Sequence, residues 1–315
     1  SGGHGIAWPW RRGEHGDGRL RGEFIPHMVG PKIYSFFEEI KKTWDPQNIF
    51  NPGKIVKTPP MNQFLRYEPG QETRQFDTMF SFENEGGILR AAEKCNGSGD
   101  CRKTELSGGT MCPSYMATKD EFSTTRARAN ILRNFLTKSE NQNKFSHNEI
   151  YDVMDLCLSC KGCKSECPSN VDVAKLKAEF LHQYYKEHGI PWRSKMFGKI
   201  GQINQLNSKF PRLVNFFMKN PVSSSLMKKV MGVAQQRNLP LVAVETTGRW
   251  AKNNPDQLKS SHAKGKVYLF NDEFTNYLDA EVGKKAVRVL VLLGYEVEIV
   301  KHWESGRSFM SKGML

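Results

Sequence analysis

The chain has 315 residues, enough for roughly two or three domains, and 38% of them are hydrophobic, as in ordinary globular proteins. No apolar run reaches the roughly 18 residues of a membrane span, and charged side chains are frequent in residues 1–30, so we expect a cytoplasmic location without a signal sequence. The net charge of +13 comes from scattered Lys and Arg, which argues against a specific nucleic-acid partner; it would suit an acidic redox partner, the inner face of an anionic membrane, or a merely solvated surface.

The N-terminal part of the sequence predicts one helix between irregular segments. Residues 1–30 are rich in glycine and are predicted to form loops and strands. Apolar residues at helical spacing then predict a helix that ends at Asp45-Pro46. They are Ile33, Phe36, Phe37, Ile40 and Trp44. Residues 57–90 contain several Pro and Gly, lack periodicity and are predicted to be a linker.

A cysteine-bearing region follows, in which loops alternate with helices. Two apolar stripes predict its main helices, the first capped by Ser123 or Thr124 and the second following Cys167-Pro168. The first stripe is Ala127, Ile131, Leu132, Phe135 and Leu136, and the second is Val173, Leu176, Phe180, Leu181 and Tyr184. This layout predicts a helical ferredoxin-like domain over residues 91–190.

The rest of the sequence predicts a helical connector and an α/β segment. Residues 191–262 look helical but are interrupted by prolines. Residues 267–270 predict a buried strand, residues 280–293 a helix, and residues 295–300 a second strand. Together they predict a β-α-β unit.

The most specific chemical signal is the spacing C-x2-C-x2-C-x3-C-P, formed by Cys157, Cys160, Cys163 and Cys167. This spacing is typical of ferredoxins and predicts a 4Fe–4S cluster. A structural zinc site is the alternative, but zinc knots usually pair two C-x2-C knuckles across a longer spacer. All seven cysteines lie between Cys95 and Cys167, and an odd count argues for metal ligation and against a disulfide framework.

Two sets of cluster ligands are compatible with these cysteines. In two-cluster ferredoxins the fourth cysteine of each motif ligates the other cluster. By that rule the first set is Cys112, Cys157, Cys160 and Cys163. The cysteines that then remain for a second cluster are Cys95, Cys101 and Cys167. Such a cluster would have three irons or a non-cysteine fourth ligand. In the simpler alternative, the ferredoxin motif holds one cluster by itself and the three upstream cysteines are free or structural.

Four basic residues near the cysteines also have two interpretations. Lys161 and Lys164 lie inside the binding loop, where positive charge would raise the potential of a cluster, or they face solvent. Arg126 and Arg128 could contact a cofactor phosphate, but arginines on helix surfaces are usually solvated. Neither arginine is therefore assigned to the site.

Two strings near the N-terminus, GEHGDGRLRGEF and FFEEIKKTWDPQNIFNPGKI, resemble the C-terminal end of the FAD-linked oxidase domain of D-lactate, glycolate and D-2-hydroxyglutarate dehydrogenases. The resemblance covers residues 11–56 and implies FAD as a cofactor. It places Glu14, His15, Gly16 and Asn51 at the cofactor, with His15 able to take a proton as hydride leaves the substrate. Without the resemblance, His15 would be interpreted as a turn histidine.

The same resemblance makes Glu14 a candidate ligand of a divalent metal that holds the 2-hydroxy acid. The upstream histidines that would complete such a site are absent from this sequence.

The cysteine-bearing region is similar to the electron-transfer module that large dehydrogenases of this kind carry on one chain with the flavin domain. The strings concerned are CNGSGDCRKTELSGGTMCPSY and TTRARANILRNFL. The tail, FNDEFTNYLDAEVGKKAVRVLVLLGYEVEIV, resembles the start of the cysteine-rich domain related to heterodisulfide reductase and to anaerobic glycerol-3-phosphate dehydrogenase.

Together these features predict an α+β multidomain chain. Its predicted parts are the end of an FAD-linked oxidase domain (1–56), a linker (57–90), the ferredoxin-like module (91–190), a helical connector (191–262) and the start of the cysteine-rich α/β domain (263–315).

The resemblance implies FAD- and iron–sulfur-dependent oxidation of a D-2-hydroxy acid, with electrons passing through one or two 4Fe–4S clusters to a quinone, a cytochrome or another acceptor. The sequence reads as a fragment, so we expect it to be inactive alone. Peripheral association with a membrane is a further expectation. The alternative is an electron-transfer subunit without its own substrate site, of the anaerobic glycerol-3-phosphate dehydrogenase or heterodisulfide reductase type.

Overall fold

The computed structural model describes residues 17–65 and 70–315, and the chain divides into two units, Ser1–Glu72 and Thr73–Leu315. In the first unit a 3-10 turn, Gly22–Phe24, leads into helix α1 (Ile25–Trp44).

The second unit is mostly helical. Its first helices are α2 (Ile88–Glu93), α3 (Pro113–Thr118), α4 (Thr125–Lys138), α5 (Asn148–Asp155), α6 (Gly162–Glu166) and α7 (Val173–His188). The connector and the tail contain α8 (Trp192–Gly198), α9 (Ile200–Asn207), α10 (Pro211–Lys219), α11 (Pro221–Met231), α12 (Thr247–Asn253), α13 (Glu273–Tyr277), α14 (Ala280–Leu292) and α15 (Arg307–Ser311). Short 3-10 turns lie at Glu83–Glu85, Asp100–Arg102, Glu105–Ser107, Glu121–Ser123 and Pro255–Leu258. The strands are β1 (Gly265–Leu269) and β2 (Tyr295–Ile299), and the α+β class is confirmed.

Helix α1 confirms the predicted helix and its end. The chain leaves it at Asp45, a buried carboxylate that accepts hydrogen bonds from the backbone N–H groups of Ile49 (2.8 Å) and Phe50 (2.9 Å) and from Lys41 Nζ. Burial opposes the ionisation of Asp45, but these bonds outweigh it and lower its pKa. Asp45 therefore ties the end of α1 to the loop that follows.

The prediction of loops and strands up to residue 30 is wrong for residues 25–30, whereas residues 17–24 form turns. Residues 25–29 are already helical, and Gly30 interrupts α1 with a φ of 79° before Pro31 begins its second part. Glycine adopts this left-handed conformation without steric cost, so the segment is a kinked helix.

The core of the second unit lies among α2, α4, α5 and α7. The stripes predicted for α4 and α7 supply its centre, where Leu132 and Phe180 are fully buried. The hydroxyl of Thr124 accepts a hydrogen bond from the backbone N–H of Ala127 (3.0 Å), which makes Thr124 the cap of α4.

Residues 73–90 fall within the predicted linker, but part of this segment packs into the core. Its buried apolar side chains include Phe82, Ile88 and Leu89. Glu179 on α7 is fully buried and accepts hydrogen bonds from the backbone N–H groups of Met79 (3.2 Å) and Phe80 (3.0 Å). These bonds fix the segment to α7.

The predicted β-α-β unit is confirmed. In the part of the chain that the structure describes, β1 and β2 form a parallel pair with Gly265 opposite Tyr295, and α14 connects them. The prediction that the first strand is buried is wrong. An apolar cluster around Trp250 and Val287 covers only one face of the sheet. Val267 and Leu269 pack against that cluster, whereas Tyr268 is 66% exposed.

The connector contains several short helices, of which α8, α10 and α11 begin at or next to Pro191, Pro211 and Pro221, as the proline breaks predicted. Over residues 17–65 and 70–315, none of the helices combines the length and apolar character needed to cross a membrane.

We expect Glu179→Gln to destabilise the second unit. Glutamine presents one acceptor oxygen and turns an amide N–H towards a backbone donor, so the free energy of unfolding should fall by about 2 kcal/mol. Urea unfolding measures this change. The exposed Glu140→Gln substitution is the control and should change stability by no more than about 0.5 kcal/mol. Equal effects of both substitutions would contradict the role given to Glu179.

Candidate iron–sulfur site

Two separate stretches of the chain bring four cysteines to one cavity. Cys112 comes directly before α3, whereas Cys157, Cys160 and Cys163 belong to the loop between α5 and α6 and to the first turn of α6. All four residues line the same cavity. Cys167, the last cysteine of the ferredoxin motif, is not among the described residues that line it.

Helix N-termini direct backbone N–H groups at two of these thiols. The N–H of Tyr115 in the first turn of α3 donates to Cys112 Sγ, and the N–H of Val173 at the start of α7 donates to Cys163 Sγ. Such donors, and the positive end of a helix dipole, stabilise a thiolate. The short helices around the motif therefore provide anion-stabilising groups where the sequence places cysteine.

Glu166 holds the two cysteine stretches against each other. Its carboxylate accepts hydrogen bonds from the backbone N–H (2.7 Å) and the hydroxyl (2.6 Å) of Thr110 and from the backbone N–H of Met111 (3.1 Å), next to Cys112. These bonds lower the pKa of Glu166. Gly162 permits the close approach, since a Cβ there would lie 2.8 Å from Thr110 Oγ1.

The electrostatics of the cavity oppose the formation of several thiolates at once. Burial raises the pKa of Cys163 to about 11, and the nearby Cys157 and Cys112 add to the shift. The pKa of Cys112 is lowered: burial opposes ionisation, but the hydrogen bond with Ser114 and the charge of Arg128 outweigh it. Four clustered thiolates therefore need additional positive charge, which bound iron supplies.

Arg128, which the sequence left unassigned because arginines on helix surfaces are usually solvated, is a buried cation of this cavity. It is 1% exposed, its Nε donates to the carbonyl oxygen of Val153 (2.9 Å), and its Nη1 lies 3.4 Å from Cys112 Sγ. A signal for this position was present in the sequence, because Arg128 precedes Leu132 and Leu136 by one and two helical turns on the buried face of α4.

The guanidinium and the cysteines together fit an iron–sulfur cluster. The Nη2 of Arg128 is buried and has no hydrogen-bond partner among the described residues. Within the same residues, no three His, Cys, Asp or Glu side chains stand close enough to hold a single metal ion. The ligands of a four-iron cluster bind different irons and stand farther apart than the ligands of one ion.

The two lysines of the motif differ in exposure, and a third lysine that the sequence pattern did not indicate lies nearby. Lys161 lines the cavity and its Nζ pairs with Asp172 (2.7 Å), whereas Lys164 is exposed. The missed residue is Lys177 on α7, whose buried Nζ donates to the carbonyl oxygen of Cys157 (2.7 Å). Burial lowers the pKa of Lys177 to about 8. Lys177 orders the loop that begins the motif.

The upstream cysteines lie outside the lining of this cavity. Cys101 is buried, which raises its pKa, and it accepts a hydrogen bond from the backbone N–H of Arg126 at the start of α4. The nearby Cys95 adds to that shift, and the side-chain amide of Asn130 lies 3.9 Å from Cys95 Sγ. The side chain of Arg126 pairs with Glu121 (2.7 Å), as expected for an arginine near the surface.

Of the four residues predicted at the flavin, the structure describes Asn51. Glu14, His15 and Gly16 lie outside the described residues. Asn51 is exposed, with a left-handed φ of 47°, in the turn that follows the loop anchored by Asp45. Their roles at a cofactor stay predictions.

Two family models match the chain. Residues 12–55 match the C-terminal domain of FAD linked oxidases, and residues 94–172, which include all seven cysteines, match the 4Fe-4S dicluster domain. The chain thus joins a segment similar to the C-terminal domain of FAD linked oxidases to a segment similar to a 4Fe-4S dicluster domain. These matches confirm the predicted iron–sulfur and FAD cofactors; the divalent metal at Glu14 stays a prediction.

Curated relatives align with 99% of the chain. They include proteins named D-2-hydroxyglutarate dehydrogenase from Escherichia coli strain K12 (28% identical), Pantoea ananatis (25%) and Haemophilus influenzae (26%). The chain spans about a third of the length of these relatives, 34% in the first case. No solved structure is significantly similar to the chain.

Serine substitutions should separate the two possible ligand sets. Because Cys112 lines the cavity and Cys167 does not, Cys112→Ser should remove the cluster bound by the ferredoxin motif, whereas Cys167→Ser should retain it. Iron, acid-labile sulfide and EPR of anaerobically purified protein measure the loss. Cys160→Ser is the positive control, since both sets include Cys160. The opposite pattern would favour the single-cluster set.

Proposed function

We propose that the chain is part of an FAD- and iron–sulfur-dependent oxidoreductase that oxidises a D-2-hydroxy acid. The observation that carries this proposal is the cavity in which Cys112, Cys157, Cys160 and Cys163 adjoin the buried Arg128. The match of residues 12–55 to FAD linked oxidases supports a flavin on the same polypeptide. The names of the curated relatives favour D-2-hydroxyglutarate over lactate or glycolate as the substrate.

The cofactors divide the chemistry: FAD accepts a hydride from the carbinol carbon, and iron–sulfur clusters transfer single electrons. We assign His15 as the base that takes the hydroxyl proton, and Glu14, Gly16 and Asn51 as residues at the flavin or its bound substrate. A divalent metal at Glu14 is part of this proposal.

For the clusters we propose the crossed ligand set. The thiolates of Cys112, Cys157, Cys160 and Cys163 hold one 4Fe–4S cluster, supported by their common cavity. The remaining thiolates, which hold a second cluster, are those of Cys95, Cys101 and Cys167. That cluster has three irons or a non-cysteine fourth ligand. The match to a dicluster domain supports two clusters.

We further propose that electrons leave to a quinone, a cytochrome or another acceptor at an anionic membrane surface. The connector supports this location, because no acidic residue occurs between Glu187 and Glu245. The cations of this stretch are Arg193, Lys195, Lys199, Lys209, Arg212, Lys219, Lys228, Lys229 and Arg237.

The connector also exposes apolar side chains at helical spacing. On α10 these are Leu213 (59% exposed), Phe216 (62%) and Phe217 (48%), and on α11 they are Val222 (80%), Leu226 (63%) and Val230 (62%). An apolar face flanked by Lys and Arg is typical of helices that lie in the interface of an anionic bilayer. Each cation near such a surface contributes about 1 kcal/mol to binding.

Vesicle sedimentation tests this location. The chain should bind vesicles that contain phosphatidylglycerol and not vesicles of pure phosphatidylcholine, and higher salt should weaken binding. Leu226→Glu should reduce the affinity about tenfold, since it places a negative charge on the apolar face. The exposed Val282→Glu on α14 is the matched control. Failure to bind anionic vesicles at low salt would contradict the proposal.

The role of His15 is tested in the intact protein. His15→Gln should lower turnover of D-2-hydroxyglutarate by about 10² to 10⁴-fold, as loss of a general base does, with flavin and iron contents unchanged. His27→Gln, at an exposed position of α1, is the control. Unchanged turnover of the His15 variant would instead favour an electron-transfer subunit without its own substrate site. Faster oxidation of D-lactate or glycolate would contradict the choice of substrate.

A further inference from the structure

Arg128, which lines the cavity, has a hydrogen-bond donor that no described residue accepts. Arg128 donates from Nε to Val153 and from Nη1 towards Cys112 Sγ, but its buried Nη2 has no hydrogen-bond partner among those residues. Buried polar groups are almost always paired, because an unpaired donor costs about 1–3 kcal/mol. The arrangement therefore indicates an acceptor next to Nη2.

The charge of Arg128 leads to the same conclusion. A buried charge is normally paired with an opposite charge, yet no ion pair formed by the described residues includes Arg128. Lys161, another cation that lines the cavity, has such a partner, since it pairs with Asp172. The anion that Arg128 faces is thus the group held by the cavity cysteines.

We propose that Arg128 donates a hydrogen bond from Nη2 to a sulfur of the 4Fe–4S cluster bound by Cys112, Cys157, Cys160 and Cys163, and thereby raises the reduction potential of that cluster. This proposal rests on the ligand set proposed above. Reduction adds one electron to the cluster, from reduced flavin in the enzyme or from dithionite in the test, and no bond forms or breaks. A fixed positive charge stabilises the reduced, more negative cluster more strongly than the oxidised one.

The geometry makes Arg128 suitable for this task. Its helix packs in the core, and the bond from Nε to the carbonyl oxygen of Val153 at the end of α5 fixes the plane of the guanidinium. Nη1 is thereby held towards Cys112 Sγ, and the unpaired Nη2 belongs to the same fixed plane. A donor that is oriented before the electron arrives requires little rearrangement during transfer.

An EPR-monitored redox titration tests the proposal without any substrate. Arg128→Met should lower the equilibrium constant for reduction of this cluster about tenfold, which corresponds to about 59 mV for one electron. Arg128→Lys keeps the charge but not the second arm, so its potential should lie between those of the wild type and the Met variant. Arg133→Met, farther along α4 and outside the cavity lining, is the control. Iron content is measured for each protein.

A second measurement covers the case in which Arg128→Met does not retain the cluster. In the reduced wild-type chain labelled with 15N-arginine, ENDOR should detect a guanidinium nitrogen coupled to the cluster, and Arg128→Lys should abolish that coupling. Wild-type potentials in cluster-loaded Arg128→Met, or the absence of a 15N coupling in the wild type, would overturn the proposal. Neither result would bear on substrate oxidation, which is measured separately through turnover.

Discussion

The crowding of four thiols in a buried cavity is the constraint on which the rest of this domain depends. Burial alone raises the pKa of Cys163, and each neighbouring thiolate makes the next ionisation harder. A protein can hold such a group only by supplying positive charge and hydrogen-bond donors from the fold. The second unit does so with helix N-termini, with Arg128 and with the binding of iron.

This requirement is consistent with the helices that begin near the cysteines. A helix start offers free N–H groups, and the starts of α3 and α7 direct theirs at Cys112 and Cys163. Two buried or half-buried carboxylates then fix the loops between helices. Glu166 joins the two cysteine stretches, and Glu179 anchors the segment that precedes α2. The polar network thus fixes the loops, while Leu132, Phe180 and their neighbours supply the apolar core.

Periodicity predicted the long elements well, because α4 and α7 each bury one apolar face and α1 ends at a strong helix stop. It failed where tertiary contacts decide the outcome. Arg128 looked like a surface residue, since the buried role of an arginine depends on an anion that the sequence does not locate. The segment that ends at Leu89 looked like a linker, since its Pro and Gly residues hid the apolar side chains that reach the core.

The ferredoxin spacing predicted the chemistry of the site but not the choice of its fourth ligand. That choice depends on which chain segments meet, and the proposed fourth ligand, Cys112, lies two residues after Thr110, which pairs with Glu166. Iron and acid-labile sulfide, determined with EPR on the anaerobically purified chain, test this account most directly. We expect about seven or eight irons per chain with matching sulfide and signals from two clusters. About four irons would contradict the second cluster, and zinc without sulfide would contradict the electron-transfer role of the domain.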